Sequence, residues 1–121
     1  MPPSILLVED NALARRNMVV FFTARGYQVS EADRGEDAIR LIRDIDNFDV
    51  VITDLRMPGM IDGLDVLRYQ SEVSPGTKSI LMTGFGSDQI KNQAISIGAV
   101  YLDKPIRLND LLVEIQNLTL P

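Results

Sequence analysis

Four short runs of apolar, largely β-branched residues recur along this chain: Ile5 to Val8, Val50 to Thr53, Ser79 to Met82 and Val100 to Leu102. Apolarity without alternation suits strands covered on both faces, the environment of a parallel sheet flanked by helices. A fifth segment, Tyr27 to Glu31, alternates apolar with polar residues and is expected at a sheet edge, with one face partly exposed. Helical spacing fills the intervals. Asn11 to Arg25 stops at Gly26, and Glu36 to Ile45 carries Ala38, Ile39, Leu41, Ile42 and Ile45 on a helical repeat. Leu64 to Glu72 breaks at Ser74-Pro75-Gly76, and Asp88 to Ile97 stops at Gly98. Arg107 to Leu118 bears the stripe Leu108, Leu111, Leu112, Ile115 and Leu118. Five strand–helix units in succession predict an α/β fold, a doubly wound parallel sheet of five strands with right-handed crossovers. A length of 121 residues leaves room for one core, so residues 1–121 are expected to form a single domain.

Composition removes whole classes of chemistry. Seventeen acidic against 12 basic side chains give a formal charge of −5, which repels phosphate backbones and argues against direct binding of DNA or RNA. The chain has no cysteine and no histidine, so disulfides, thiol nucleophiles, the usual zinc sites and His-based acid–base catalysis are excluded. Met18 to Phe22 is the longest uninterrupted apolar stretch, far too short to cross a bilayer. No basic segment followed by an apolar stretch opens the chain, so the expectation is a cytoplasmic protein without a membrane partner.

In an open α/β sheet, ligands bind beyond the carboxyl ends of the strands. The run from Ile5 leads into Glu9-Asp10, that from Val50 into Asp54, that from Ser79 into Thr83 and the last into Asp103-Lys104-Pro105. Taken singly, each residue has an ordinary explanation. The acidic pair can cap a helix, Asp54 can open the Met57-Pro58-Gly59 turn, Thr83 can be a loop hydroxyl and Lys104 a solvated lysine. Agreement among four strand ends at one rim is what makes a site. Clustered carboxylates need a cation to stay ionised together. Oxygen ligands without His or Cys select a hard ion, and Mg²⁺ suits a small site that keeps several waters. A carboxylate beside Mg²⁺, a lysine and a threonine is equipped to accept a phosphoryl group as an acyl phosphate.

Together these motifs resemble a known family. The acidic pair in ILLVEDN, the aspartate in VVITDLRMPGM, the threonine in SILMTGFG and the lysine in YLDKP resemble the receiver domain of two-component response regulators, from about Ile5 to Leu118. Among receivers, the chain is most similar to the nitrogen-regulatory type, which precedes an ATPase and a DNA-binding module. The resemblance implies a flavodoxin-like (βα)5 sheet with strand order 2-1-3-4-5. Residues 1–121 would then be one receiver domain, either whole or the N-terminal part of a longer regulator. It implies Asp54 as phosphoacceptor and Asp10 as a direct Mg²⁺ ligand, with Glu9 acting through water or as a second ligand. Arg56 would offer its backbone carbonyl to the metal, Thr83 would bond a phosphoryl oxygen and Lys104 would pair with it. Tyr101, three residues before the lysine, matches the aromatic switch, and Lys104-Pro105 matches the family's cis peptide. The implied function is a phosphorylation-controlled signalling switch fed by a sensor histidine kinase or phosphotransfer protein. Its target is an output domain in cis or a protein in trans, with transcription regulation among the outputs. Catalysis would be confined to its own phosphoryl transfer and dephosphorylation.

Two departures from the family pattern stand out. Ile61 intrudes between Met60 and Asp62 after the acceptor, and Gly98-Ala99-Val100-Tyr101 is one residue shorter than the common spacing before the aromatic. Two further expectations concern exposed bulk. Arg56 and Phe85, each two residues beyond a site residue, are expected to flank the phosphoryl group and hinder attack by water. Met18 to Phe22 sweeps the whole circumference of a helix, and Val113 and Leu120 add apolar surface near the chain's end, so a homodimer or a contact with an output module is expected there. A hydrolase of the haloacid dehalogenase type would want an aspartate where Arg56 stands, and a nucleotide binder a glycine-rich loop after the first strand; neither is present. A silent receiver that only docks partners would not need so complete an acidic pocket.

Overall fold

The computed structural model describes residues 3–45 and 47–120, so Met1, Pro2, Asp46 and Pro121 lie outside the described residues. Five strands, β1 (Ser4–Val8), β2 (Gln28–Ala32), β3 (Val50–Asp54), β4 (Lys78–Thr83) and β5 (Val100–Asp103), alternate with five helices. The helices are α1 (Ala12–Ala24), α2 (Gly35–Ile45), α3 (Gly63–Val73), α4 (Asp88–Ser96) and α5 (Leu108–Leu118). The strands form one sheet in the order β2-β1-β3-β4-β5, and every pairing is parallel.

Strand alternation splits the core in two. Leu6 and Val8 of β1, Val51 of β3 and Leu81 of β4 point to one face, where Ala38 and Ile42 of α2, Leu64 and Leu67 of α3, and Ala94 of α4 cover them. Ile5, Leu7, Val50, Ile52, Ile80 and Met82 point to the other, against Met18 and Phe22 of α1 and Leu111 and Ile115 of α5. Three of the four continuous apolar runs, β1, β3 and β4, are thus central strands that bury side chains on both faces. The alternating segment is indeed an edge strand, β2. The apolar run at Val100 to Leu102 is the second edge, and its residues are only half-buried.

Local sequence explains where helices begin. Asn11 caps α1 by accepting a hydrogen bond from the Ala14 amide at 2.9 Å, and Ser87 caps α4 through the Ile90 amide. Asp62 and Asp65 form a reciprocal capping box at the start of α3. Three backbone hydrogen bonds align the carboxyl rim of the sheet. The Glu9 amide donates to the Ala32 carbonyl (3.0 Å), the Leu55 amide to that of Met82 (3.1 Å), and the Lys104 amide to that of Thr83 (2.9 Å). These bonds continue the ladder beyond several strand ends and bring Glu9, Asp54, Thr83 and Lys104 to one edge.

Candidate functional site

Parallel register sets Asp54 opposite Met82 and Thr83 opposite Asp103, so the functional ends of β3, β4 and β5 lie side by side. Asp54 is 9% exposed and Glu9 1%. Burial of two carboxylates is costly unless a cation shares the space. Lys104 provides it: its ammonium donates to Glu9 Oε1 at 2.8 Å and to Asp54 Oδ2 at 2.9 Å. The remaining carboxylate oxygens are partly held by backbone. Asp54 Oδ1 accepts from the Leu55 amide at 2.8 Å, and Glu9 Oε2 accepts from the Asn11 amide at 3.2 Å.

Asp10 completes an acidic cluster in which one oxygen each from Glu9, Asp10 and Asp54 lies within 4.8 Å of the others. Its own pKa is raised, first by partial burial and then by the neighbouring Glu9. For Lys104, burial pulls the pKa down, but hydrogen bonds to Glu9 and Asp54, and their charges, outweigh it and leave the value above normal. The cluster is therefore short of positive charge despite the lysine. An all-oxygen donor set with surplus negative charge fits a hard divalent ion. Above it opens a cleft of about 320 Å³ lined by Asp10, Asp54, Arg56, Gly84, Phe85 and Lys104.

Thr83 is buried next to this cleft, and its Oγ1 accepts a hydrogen bond from the Phe85 amide at 2.9 Å. The Arg56 guanidinium lies over the Phe85 ring at 5.4 Å, so the two exposed side chains meet at the cleft's mouth. The Lys104-Pro105 peptide bond is cis. Tyr101 does not join the acidic cluster. It lines a separate depression of about 210 Å³ with Gly86, Ser87, Asp88, Lys91 and Asp103. Asp103, though it ends a strand, also faces this depression; partial burial and then Asp103 and Asp88 raise the tyrosine's pKa.

Two supporting residues carry no sequence signal of their own. Arg15 donates from Nη1 to the Glu9 carbonyl at 2.8 Å and from Nε to Glu31 Oε1 at 2.9 Å, tying the end of β1 to β2. Gly63 packs so closely on Asp54 that a β-carbon would overlap the aspartate's carbonyl oxygen. Only the fold reveals either contact, since the partners are remote in sequence or meet through backbone.

Residues 5–116 match the family model of the response regulator receiver domain. The chain belongs to that family. Receiver domains are signalling domains rather than classical enzymes; they bind Mg²⁺ at an acidic pocket and interact with histidine kinases and output domains. This receiver is 33% identical over 115 residues to the response regulator receiver protein CpdR of Brucella abortus, covering 94% of each chain. It is 34% identical to the regulatory protein AtoC of Escherichia coli, covering 93% of this chain but only 24% of AtoC. Most of the other curated relatives are likewise much longer than the stretch this chain spans.

Solved structures agree with the fold. A response regulator receiver domain protein from Clostridium thermocellum superposes with a TM-score of 0.87 at 30% identity, covering 96% of this chain and 93% of that one. A response regulator protein from Burkholderia pseudomallei, crystallised with a phosphorylated aspartic acid, calcium ion and citrate, gives 0.86 at 25% identity, covering 97% of this receiver and 69% of that chain. Among the described residues, no helix is long and apolar enough to cross a membrane.

Proposed function

We propose that this receiver takes a phosphoryl group onto Asp54 from a sensor histidine kinase or phosphotransfer protein, in a Mg²⁺-dependent reaction. The observation that carries the reading is the sharing of one lysine ammonium between buried Glu9 and Asp54, with Asp10 beside them. A carboxylate oxygen of Asp54 attacks phosphorus, the P–N bond of the donor phosphohistidine breaks, and an acyl phosphate forms. The leaving imidazole nitrogen keeps the electron pair and takes a proton from solvent. Lys104 swings its ammonium from carboxylate to phosphoryl oxygen, and Thr83 donates its hydroxyl proton to another. Glu9, Asp10, Asp54 and the Arg56 backbone carbonyl are the groups to hold Mg²⁺, which when bound neutralises charge on the phosphoryl oxygens. The phosphorylated aspartic acid of the Burkholderia pseudomallei regulator supports the same chemistry here.

The acyl phosphate adds charge and acceptor oxygens at the rim, and movement of Thr83 and Tyr101 passes that change to the surface of α4 and β5. Residues 1–121 act as one cytoplasmic receiver domain. Likeness to CpdR, a response regulator receiver protein, supports action on a partner in trans, and likeness to the transcriptional regulatory protein ResD of Bacillus subtilis, of which the chain spans 47%, supports a receiver joined to an output module controlling transcription. A second copy is a further partner, through exposed Val20 on α1 and Val113 and Leu120 at α5. The deciding experiment treats parent and Asp54→Asn with a radiolabelled small phosphodonor such as acetyl phosphate plus Mg²⁺. Label is expected on the parent alone; equal label on both overturns the assignment.

A further inference from the structure

The tip of the Tyr101 ring rests against Gly86 in the loop between β4 and α4. A β-carbon built at residue 86 would overlap the Tyr101 hydroxyl outright and come within 2.7 Å of its Cζ. The Thr83 methyl borders the same space, 3.2 Å from that β-carbon. Gly86 is not among the glycines with positive φ, which are Gly26, Gly59 and Gly98, so its backbone does not require glycine. Space is the reason. By contrast, a β-carbon at nearby Gly84 would make only an ordinary contact, 3.8 Å from the Lys104 Cβ.

We propose that Gly86 is a positioning residue: its missing side chain is the seat of the Tyr101 phenol, and the phenol occupies that seat before Asp54 is phosphorylated. The loop joins the two ends of the switch. Thr83 Oγ1 accepts from the Phe85 amide at 2.9 Å, and the next residue, Gly86, carries the ring. A methyl at 86 fills the seat and turns the phenol out of the depression it shares with Gly86, Asp88, Lys91 and Asp103. A phenol displaced from the seat no longer meets the loop that Thr83 holds, and phosphorylation of Asp54 is left without that contact to act on. The seat itself follows from packing alone, and only this last coupling rests on the phosphoacceptor reading.

Fluorotyrosine labelling with ¹⁹F NMR tests it, since the chain holds 3 tyrosines and the Tyr101→Phe variant assigns the relevant resonance. In Gly86→Ala the Tyr101 signal is expected to move and to gain a larger H₂O-to-D₂O solvent shift, while Gly84→Ala leaves it in place. An unmoved signal in Gly86→Ala, or an equal displacement in Gly84→Ala, overturns the proposal. If Gly86→Ala fails to fold, the Gly86→Ala/Tyr101→Ala double variant must fold, because the overlap is gone; failure there also overturns it. Adding acetyl phosphate and Mg²⁺ to the parent separates the two readings. A parent that takes no phosphoryl group refutes the phosphoacceptor assignment and leaves the ¹⁹F result on the seat intact.

Discussion

Lys104 shows how one side chain can matter to stability and to the proposed chemistry in separable ways. Its ammonium compensates two carboxylates, and Glu9 is so buried that water cannot replace the lysine. Lys104→Met is therefore expected to cost about 1–3 kcal/mol, the scale of an unsatisfied buried polar group, because the lysine itself is partly exposed. Added Mg²⁺ recovers part of that loss by restoring positive charge to the cluster. Adding Glu9→Gln to Lys104→Met recovers stability without metal but not phosphorylation. Urea midpoints and phosphodonor labelling of the single and double variants check both halves. The sequence placed Glu9, Asp10, Asp54, Thr83 and Lys104 on one rim, because strand ends are legible from apolar runs. It did not reveal that the lysine bridges Glu9 to Asp54, which depends on side-chain reach across the sheet. At the cleft's mouth, Arg56 and Phe85 form one obstacle rather than two, being stacked at 5.4 Å. Removing either is expected to raise the dephosphorylation rate roughly 2–5-fold, the kinetic equivalent of an exposed cation–π contact. Stopped-time loss of label should then show Arg56→Ala, Phe85→Ala and the double variant at nearly the same rate. Unchanged rates in both single variants would refute any such shielding.

Among the elements, the loop between β3 and α3 is where sequence and structure diverge most usefully. In the sequence Ile61 is only an extra residue. In the fold it is half-buried against the core and lies over the N-terminus of α2, where a β-carbon on Gly35 would come within 2.5 Å of its Cγ2. Gly59, with φ of +97°, faces the Glu36 carboxylate in the same way, and a β-carbon there would stand 2.6 Å from its Oε2. The insertion thus fastens the loop that carries the Arg56 carbonyl onto α2, and its packing depends on a glycine 26 positions earlier. Gly35→Ala is expected to destabilise by about 1–3 kcal/mol through overpacking, and Ile61→Ala in that background should relieve only the part due to Cγ2, because the residue-61 Cβ and carbonyl oxygen still stand 2.6 Å from the added carbon. Thermal melts of the four-member cycle decide; additive losses would mean that the two residues do not meet. The shortened lead-in to Tyr101 is absorbed more simply. Gly98 takes φ of +81°, the Ala99 amide donates to the Ala94 carbonyl at 3.0 Å, and Tyr101 still pairs with Leu81 in register. Periodicity could locate these elements, but not the turn geometry that reconciles an insertion and a deletion with an unbroken sheet.

At the scale of the molecule, the two helical layers differ in what they leave uncovered. The sweep from Met18 to Phe22 is explained only in part by the core: Met18 and Phe22 are buried, Val19 and Phe21 pack at its margin, and Phe21 is also covered by the Arg25 guanidinium at 3.5 Å. Val20 has no such role and is 58% exposed, while Val113 and Leu120 are 51% and 69% exposed. Since α1 and α5 cover the same face of the sheet, a two-fold axis could set this surface against its own copy, as isologous dimers require. Each copy brings a formal charge of −5, so such a dimer should tighten as salt screens the repulsion, contrary to an interface held by ion pairs. Sedimentation equilibrium at low and high salt is expected to show a dimer that strengthens with ionic strength. Val20→Glu, which adds a charge to an apolar contact, should raise its dissociation constant about tenfold or more, the effect of losing roughly 1.4 kcal/mol. A parent that stays monomeric at high concentration in both buffers would remove the second copy as a partner and leave this face to an output module. The acidic rim at the carboxyl end of the sheet is built by other residues, so the phosphorylation chemistry proposed for it does not depend on which outcome is found.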